Sequence, residues 1–292
     1  MTIGLTGVTG FLGQQLLDVA IRRGHQVIGF SRTPERKING CDETRRFSLE
    51  EPPDVTGCDA IVHLAGEPIF GVWTPAKKRR IVESRVLGTR RIVEAINAAS
   101  EPPEVLVSGS AIGIYGDAGE TELTESAPRG EGFLPETTSA WEAEATNVQK
   151  ARLVLLRTSI VLGKGAGALG VMAPAFRAGL GGRLGTGRQW MSWIHLRDWT
   201  KLALFAVENL DLQGPLNATA PWPVRNSEFT RHLAATLRRP AFLPVPAFAL
   251  RLLGDFSHEL LDSKRVVPAA ATEHAFGFEF PELAPALKDL LG

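Results

Sequence analysis

The stretch Thr6-Gly7-Val8-Thr9-Gly10-Phe11-Leu12-Gly13 constrains the fold of this chain more than any other feature. It follows a short apolar run, Ile3 to Leu5, and precedes a segment whose apolar residues recur at helical spacing. A strand, a glycine-rich turn and a helix together form the entry of a dinucleotide-binding unit. The glycines of such a unit allow a tight turn, close approach of a pyrophosphate and close packing of helix on strand.

The glycines follow the spacing G-x-x-G-x-x-G, whereas the plain dehydrogenase fingerprint is G-x-G-x-x-G. Three glycines alone also suit an ordinary strand-to-helix turn, so the prediction depends on the flanking strand and the amphipathic helix. The start of that helix offers free N–H groups and a positive dipole end to phosphates. The residues predicted to bind a cofactor here are Gly7, Thr9, Gly10, Phe11, Leu12 and Gly13.

The end of the predicted second strand indicates which dinucleotide binds. This strand, Gln26 to Phe30, leads into Ser31-Arg32-Thr33, which should lie beside the adenosine ribose. A cofactor without a 2′-phosphate usually meets an acidic residue at this place. Here a carboxylate is missing and a cation is present, so we predict NADP(H) held by Ser31 and Arg32. The alternative is a solvated basic loop.

A later apolar strand predicts the opposite wall of the cofactor crevice. It runs from Asp59 to Leu64 and ends in small residues, which leave room for a ligand at the carboxyl end of a strand. His63 lies inside this strand, and no cluster of metal-type ligands accompanies it, so we predict a packed histidine and no metal site. The predicted cofactor contacts on this wall are Leu64, Ala65, Gly66 and Glu67.

Two hydroxyl side chains follow the predicted fifth strand, Glu104 to Ser108. Ser110 stands just beyond that strand, where it could hydrogen-bond a substrate carbonyl or hydroxyl. Tyr115 is the only tyrosine of the chain and is a candidate proton donor. The alternatives are that Ser110 caps a turn and that Tyr115 is a half-buried packing residue.

The composition argues against several classes of partner. Lys+Arg and Asp+Glu both number 32, so no global basic field favours nucleic acid or an anionic membrane. No apolar run is long enough to span a bilayer, and no signal-like segment precedes the first strand. Only two cysteines occur, without metal-type spacing, so we expect a reduced, cytoplasmic protein.

The alternation of strands and helices predicts an α/β fold with a Rossmann-type doubly wound parallel sheet. We assign residues 1–160 to an NADP-binding domain with returning segments near 190–215, and residues 161–292 to a smaller C-terminal α/β substrate lobe. Nine glycines fall between Gly163 and Gly187, which indicates a mobile lid, an oligomer contact or an exposed loop. Asn226 is predicted to cap a helix that ends near Leu237.

These segments in this order resemble the extended short-chain dehydrogenase/reductase superfamily of nucleotide-sugar epimerases and dehydratases. A closer resemblance is to its atypical "epimerase family protein" group, which is nucleoside-diphosphate-sugar epimerase-like and also described as cell-division-inhibitor-like. The resemblance covers nearly the whole chain and implies a Rossmann fold, a nicotinamide cofactor and a family-specific C-terminal domain. Besides the glycine turn, the matching motifs are His63-Leu64-Ala65-Gly66-Glu67-Pro68, Ser110 to Asp117, Trp141-Glu142, Arg157 to Gly163, Gly185 to Gln189 and Gly277 to Leu283.

One departure from the superfamily pattern bears on activity. The superfamily uses a tyrosine to exchange a proton with the substrate and a lysine, four residues later, that lowers the pKa of that tyrosine. Placed in register on Glu142, the pair falls on Leu134 and Thr138, which cannot do this work. The superfamily serine is carried over to Ser110, but the Tyr-x-x-x-Lys pair has no counterpart.

Two functions therefore remain open at this point. The first is an NADP(H)-dependent oxidoreductase or epimerase-like enzyme, in which Ser110 binds a small-molecule substrate and Tyr115 or a water donates the proton. The second is a non-catalytic NADP(H)-sensing regulator that acts through a protein partner. The substrate is not readable, and a monomer or a homodimer is possible. We expect His195 and Asp198 to organise the lobe junction, while the placement of the cations Arg85, Arg157, Arg183 and Arg188 stays open.

Overall fold

The computed structural model describes all residues 1–292. The strands are β1 (Thr2–Thr6), β2 (Gln26–Ser31), β3 (Glu43–Arg46), β4 (Ala60–His63), β5 (Val105–Ala111), β6 (Glu122–Leu123), β7 (Arg152–Thr158), β8 (Ile160–Gly163), β9 (Trp190–Met191), β10 (Trp193–His195), β11 (Gly214–Ala218), β12 (Val224–Arg225) and β13 (Arg265–Val266). The helices are α1 (Phe11–Arg22), α2 (Pro75–Ala98), α3 (Phe133–Ala145), α4 (Gly167–Arg177), α5 (Leu196–Glu208), α6 (Asn226–Leu237), α7 (Ala247–Arg251), α8 (Ser257–Leu261), α9 (Ala269–Glu273) and α10 (Leu283–Leu291). Short 3₁₀ helices span Ile112–Tyr115 and Gly254–Phe256.

The central sheet has seven strands in the order β3-β2-β1-β4-β5-β7-β11, and every neighbouring pair is parallel. The direction of strand succession reverses between β1 and β4. In open sheets of this kind, ligands bind outside the carboxyl ends of the strands at that reversal. The predicted doubly wound, Rossmann-type sheet is therefore confirmed, and the predicted cofactor crevice lies at its switch point.

Helices cover both faces of the sheet, as a parallel sheet requires. On one face, Leu16 of α1 and Trp199 of α5 join a core that includes the fully buried strand residues Ile3 and Val62. On the other face, Ile92 and Ile96 of α2 form a second core with strand residues, and α3 packs beside α2. No helix of the structure is long and apolar enough to cross a membrane.

A separate apolar core holds together a smaller group of elements beside the sheet. It joins α4, α6 and α10 to the parallel pair β8–β10. Helix α10 buries Leu283, Ala286, Leu287 and Leu290 in this core. Between these elements, α5 and β11 return to the large sheet. The division of the chain at residue 160 stays a prediction.

Several predicted boundaries move in the structure. Strand β4 ends at His63 rather than at Leu64, and β5 continues to Ala111 rather than ending at Ser108. The glycine-rich segment after Gly163 contains α4. The predicted capping role of Asn226 was wrong: α6 begins at this residue, and its Oδ1 instead accepts the N–H of Leu184 at 2.8 Å. The side-chain oxygen of Asn226 therefore accepts a hydrogen bond from a residue distant in sequence, and not from an N–H group of α6.

Candidate cofactor site and the adjoining polar network

The glycine turn is built as tightly as its predicted role requires. Gly7 has φ +68°, and a Cβ there would lie 2.9 Å from the backbone carbonyl of Leu64. A Cβ on Gly13 would lie 2.2 Å from the carbonyl oxygen of Gly7, which no side chain could tolerate. Gly7 therefore supplies the left-handed turn, and Gly13 lets the first turn of α1 pack directly on β1.

The N-terminus of α1 is an open anion site. Gly10 is the N-cap and provides no side-chain acceptor, the first turn carries no acidic residue, and both Thr9 and Gly10 are exposed. The first N–H groups of a helix have no partner within the helix, so these remain free for phosphate oxygens. The ring of Phe11 turns away from this opening and fills the space over Gly163, where a Cβ would lie 2.5 Å from it.

The opposite wall is held in place by a buried threonine–histidine pair. The Oγ1 of Thr6 accepts the N–H groups of Leu64 at 3.0 Å and of Ala65 at 3.1 Å. Its own proton therefore goes to Nδ1 of His63, 2.7 Å away, which leaves a neutral imidazole protonated at Nε2. This arrangement fixes the Leu64–Ala65 backbone against Gly7. It agrees with the predicted packed histidine, and no cluster of metal-type ligands occurs in the structure.

The buried, neutral state of His63 predicts a specific loss of stability in acid. Burial lowers the pKa of His63 from 6.5 to about 3, so the unfolded chain binds a proton below pH 6.5 that the folded chain does not take up. Where the unfolded state binds more protons than the folded state, stability falls as the pH is lowered. Between pH 6.5 and about 3, this residue therefore costs about 1.4 kcal/mol of stability for each pH unit of acidification. Chemical denaturation should show a flatter acid dependence for His63→Gln than for the wild type. Equal slopes would mean that His63 takes up a proton in the folded protein.

The ribose end of the crevice carries cations without carboxylate partners. Ser31 ends β2 one residue beyond Phe30, which pairs with Thr6 at the start of the glycine turn. Its Oγ accepts the N–H of Thr33 at 3.1 Å, and the exposed Arg32 forms no ion pair or hydrogen bond with the protein. An unpaired guanidinium beside a serine hydroxyl fits a 2′-phosphate well, since arginine binds phosphate oxygens in a bidentate manner. The residues present therefore fit NADP(H).

Arg85 belongs to the crevice wall rather than to the solvated face of α2. Its guanidinium donates to the carbonyl of Glu67 at 3.0 Å and would lie 3.4 Å from a Cβ on Gly66. It also packs over the ring of Trp141 at 5.2 Å, and burial lowers its pKa to about 10. Glu67 itself donates its N–H to Ser84, and Lys77 and Arg80 pair with its carboxylate. These contacts of Glu67 with Lys77, Arg80, Ser84 and Arg85 tie the turn after β4 to α2.

A buried polar network lies at the carboxyl ends of the next three strands. The register of the sheet places Ser110, Arg157 and Asn217 side by side on β5, β7 and β11. Glu142 of α3 binds Arg157 through two contacts of 2.9 Å, and the side chains are only 10% and 8% exposed. Ser110 Oγ donates to Glu142 at 2.5 Å. Tyr115 completes the row, since its hydroxyl accepts from Arg157 at 2.9 Å and donates to Asn217 at 2.7 Å.

The surroundings of Arg157 and Tyr115 in this network shift the pKa of each side chain. Burial lowers the pKa of Arg157, but the hydrogen bonds and charge of Glu142 outweigh burial and raise it above its ordinary value. Burial raises the pKa of Tyr115, and its proton is already committed to Asn217. The structure thus brings the two predicted hydroxyls into one network with an ion pair. The catalytic roles of Ser110 and Tyr115 stay predictions.

The remaining residues singled out in the sequence differ in their contacts and exposure. Asp198 accepts the N–H groups of Glu279 and Phe280, both at 2.8 Å, and His195 stacks on the ring of Phe280 at 4.0 Å. These contacts tie β10 and α5 to the segment before α10, and the expected role at a lobe junction stays a prediction. Arg183 and Arg188 are exposed, whereas Arg157 is buried.

The buried network itself was not predicted, although one signal for it was present. Arg157 lies in the otherwise apolar run Leu153–Thr158, and a buried charge requires a partner of opposite sign. Nothing in the local sequence identifies that partner as Glu142, which is fifteen residues away on a helix. Pairing across elements is set by the sheet register and the helix position, not by spacing along the chain.

Comparison with known proteins gives consistent matches along the chain. Residues 3–218 match the model of the NAD dependent epimerase/dehydratase family, and residues 245–290 match a domain of unknown function, DUF1731. The epimerase family protein YfhF of Bacillus subtilis (strain 168) is 38% identical over 298 residues, which cover all of this chain and 98% of that protein.

Solved structures show the same likeness in three dimensions. The crystal structure of human epimerase family protein SDR39U1 (isoform 2) with NADPH superposes with a TM-score of 0.92 at 32% identity, covering all of this chain and 99% of that one. MoeE5 in complex with UDP-glucose and NAD has a TM-score of 0.78 at 20% identity, covering all of this chain and 97% of that one. At that lower identity the likeness concerns the fold alone.

Proposed function

Since this chain belongs to the NAD dependent epimerase/dehydratase family, we propose that it binds NADP(H) at the switch point between β1 and β4 and acts as an oxidoreductase or epimerase-like enzyme on a small molecule. The observation that carries the proposal is the uncapped N-terminus of α1 beside an unpaired Arg32. A phosphate-binding helix start and a free cation at the ribose end are what NADP(H) requires. The human relative solved with NADPH supports the same cofactor.

Different residues of the crevice bind different parts of the cofactor. The backbone N–H groups from Gly10 onward hold the pyrophosphate, Ser31 and Arg32 hold the 2′-phosphate, and the Leu64–Gly66 backbone lines the crevice beyond it. When bound, NADP(H) supplies or accepts a hydride at its nicotinamide ring. Because the proton of Ser110 goes to Glu142, its Oγ offers lone pairs, which suit a substrate hydroxyl. Arg157 holds the carboxylate of Glu142 in place for that task through two contacts of 2.9 Å.

A regulatory function is the second candidate, and one observation favours it. Leu134 and the buried Thr138 occupy the positions of the Tyr-x-x-x-Lys pair, and neither can exchange a proton at neutral pH. An NADP(H)-sensing protein that acts through a protein partner would not need that pair. Turnover with any carbonyl or alcohol substrate would exclude this second candidate.

We propose a reducing, cytoplasmic location for either function. Cys41 and Cys58 are both buried as free thiols, and burial raises the pKa of each to about 11. Thiols in this state are unreactive and do not depend on an oxidising compartment.

Cofactor choice is the direct test of the proposal. Isothermal titration calorimetry should show that Arg32→Ala weakens NADPH binding about 10- to 100-fold, because one charge-assisted contact to phosphate is lost. Binding of NADH, which lacks the 2′-phosphate, should change little. Arg22→Ala is the matched control, since Arg22 is an exposed arginine at the C-terminal end of α1, opposite to the glycine turn. Equal wild-type affinities for NADPH and NADH would contradict the assignment of NADP(H).

A further inference from the structure

The C-terminal part of the chain contains a buried lysine beside a partly buried carboxylate. Lys264 is only 6% exposed, and its Nζ lies 3.8 Å from Oε1 of Glu259. That distance is too long for a hydrogen bond, and the ammonium group donates none to any other protein atom. The carboxylate of Glu259 likewise accepts no hydrogen bond from the protein, and its side chain is 25% exposed.

The backbone on both sides fixes the direction of Lys264. Its N–H donates to the carbonyl of Trp190 at 3.1 Å, and its carbonyl accepts from Ser192 Oγ at 2.8 Å. The next two residues form β13 and pair with β6. Arg265 packs over Trp190 and pairs with Glu122. Successive side chains of an extended segment point to opposite sides. Lys264 therefore points away from the side that Arg265 occupies, towards the interior.

The surroundings of Gly113 show where the side chain of Glu259 lies relative to β5. A Cβ on Gly113 would lie 3.9 Å from Oε1 of Glu259, 3.8 Å from Oγ1 of Thr138 and 3.5 Å from Cβ of Leu134. Gly113 belongs to the 3₁₀ helix that continues directly from the carboxyl end of β5, three residues after Ser110. Glu259, with Lys264 beside it, therefore lies near the carboxyl end of β5 and close to Leu134 and Thr138, the two positions where this chain lacks a tyrosine and a lysine.

The ammonium group of Lys264 keeps its hydrogen-bonding capacity free. It makes a single ion contact of 3.8 Å and donates no hydrogen bond to the protein, so its three N–H donors are available to a ligand. A dinucleotide that crosses the switch point has its first half over β1 and β2 and its second half over β4 and β5. The ribose and amide oxygens of that second half are acceptors of the kind that Lys264 lacks.

We propose that Lys264, positioned by Glu259, binds the nicotinamide half of the cofactor, so that the C-terminal segment completes the crevice. This inference rests on the proposed NADP(H) function and assigns the segment beyond residue 245 a contact with that ligand. The segment is then part of the site and not only a cover for the smaller core.

Two ligands separate this proposal from the proposed function. NADPH spans the whole crevice, whereas adenosine 2′,5′-bisphosphate can reach only the adenosine end near Arg32. By calorimetry, Lys264→Met should weaken NADPH binding about 10- to 100-fold, the effect of losing a charged donor. Its affinity for the bisphosphate should stay within about twofold, because those contacts are untouched. Arg32→Ala should weaken both ligands.

The controls make each outcome decisive. Lys288→Met removes an exposed lysine and should change neither affinity. Lys264→Gln keeps a neutral donor and should recover part of the NADPH affinity, and bisphosphate binding reports that each variant is folded. Unchanged NADPH affinity in Lys264→Met, or equal weakening of both ligands, would overturn the inference while leaving the proposed function intact. A wild-type protein that binds neither ligand would overturn both.

Discussion

Replacing Glu142 with alanine is expected to lower the free energy of unfolding by about 3–5 kcal/mol, since it leaves the charge of Arg157 buried without its partner. Arg157 makes two contacts of 2.9 Å to Glu142, and no other carboxylate pairs with it. The same change removes the acceptor of Ser110. Chemical denaturation at neutral pH, with wild type and variant at equal concentration, measures the loss.

A surface ion pair between α3 and α2 provides the control. Glu144 pairs with Arg90, whose side chain is 46% exposed, so Glu144→Ala should cost no more than about 1 kcal/mol. Changing both members of the buried pair, Glu142→Leu with Arg157→Met, should cost less than Glu142→Ala alone because no charge then stays buried. If Glu142→Ala costs no more than Glu144→Ala, the pair is not buried in solution as the structure has it.

Gly13→Ala is expected to weaken NADPH binding by about 100-fold or more, because the added methyl group must push the start of α1 away from the glycine turn. Its Cβ would lie 2.2 Å from the Gly7 carbonyl oxygen, so helix or turn must shift. Phosphate contacts to backbone N–H groups depend on that geometry, and each is worth about 1.5–3 kcal/mol. The same strain should cost about 1–3 kcal/mol of stability.

Gly277→Ala is the matched control for this experiment. A Cβ at Gly277 meets no atom within 4 Å, so neither NADPH affinity nor stability should change appreciably. Calorimetry and thermal unfolding of both variants against the wild type measure the two effects. Wild-type NADPH affinity in Gly13→Ala would show that the cofactor is not bound at the N-terminus of α1.

The glycine turn and the start of α1 could be predicted because their determinants are local in sequence. Gly7, Gly10 and Gly13 specify a turn and a helix start within eight residues, and Ser31-Arg32 follows directly on a strand that pairs with β1. Where a prediction needed only the order of strands and helices, as for the parallel sheet, it was confirmed. The prediction that Asn226 caps α6 was wrong, because its side-chain oxygen accepts the N–H of Leu184, which is distant along the chain.

The sequence by itself determined the parallel sheet, the glycine turn and the absence of the Tyr-x-x-x-Lys pair, because short-range spacing and hydrophobic periodicity carry that information. Only the tertiary structure decided that Ser110, Glu142, Arg157 and Tyr115 share one network, and that Glu259, with Lys264 beside it, lies near Gly113. These contacts join residues that are far apart along the chain. Sheet register and helix packing bring them together, and a local sequence pattern does not contain either.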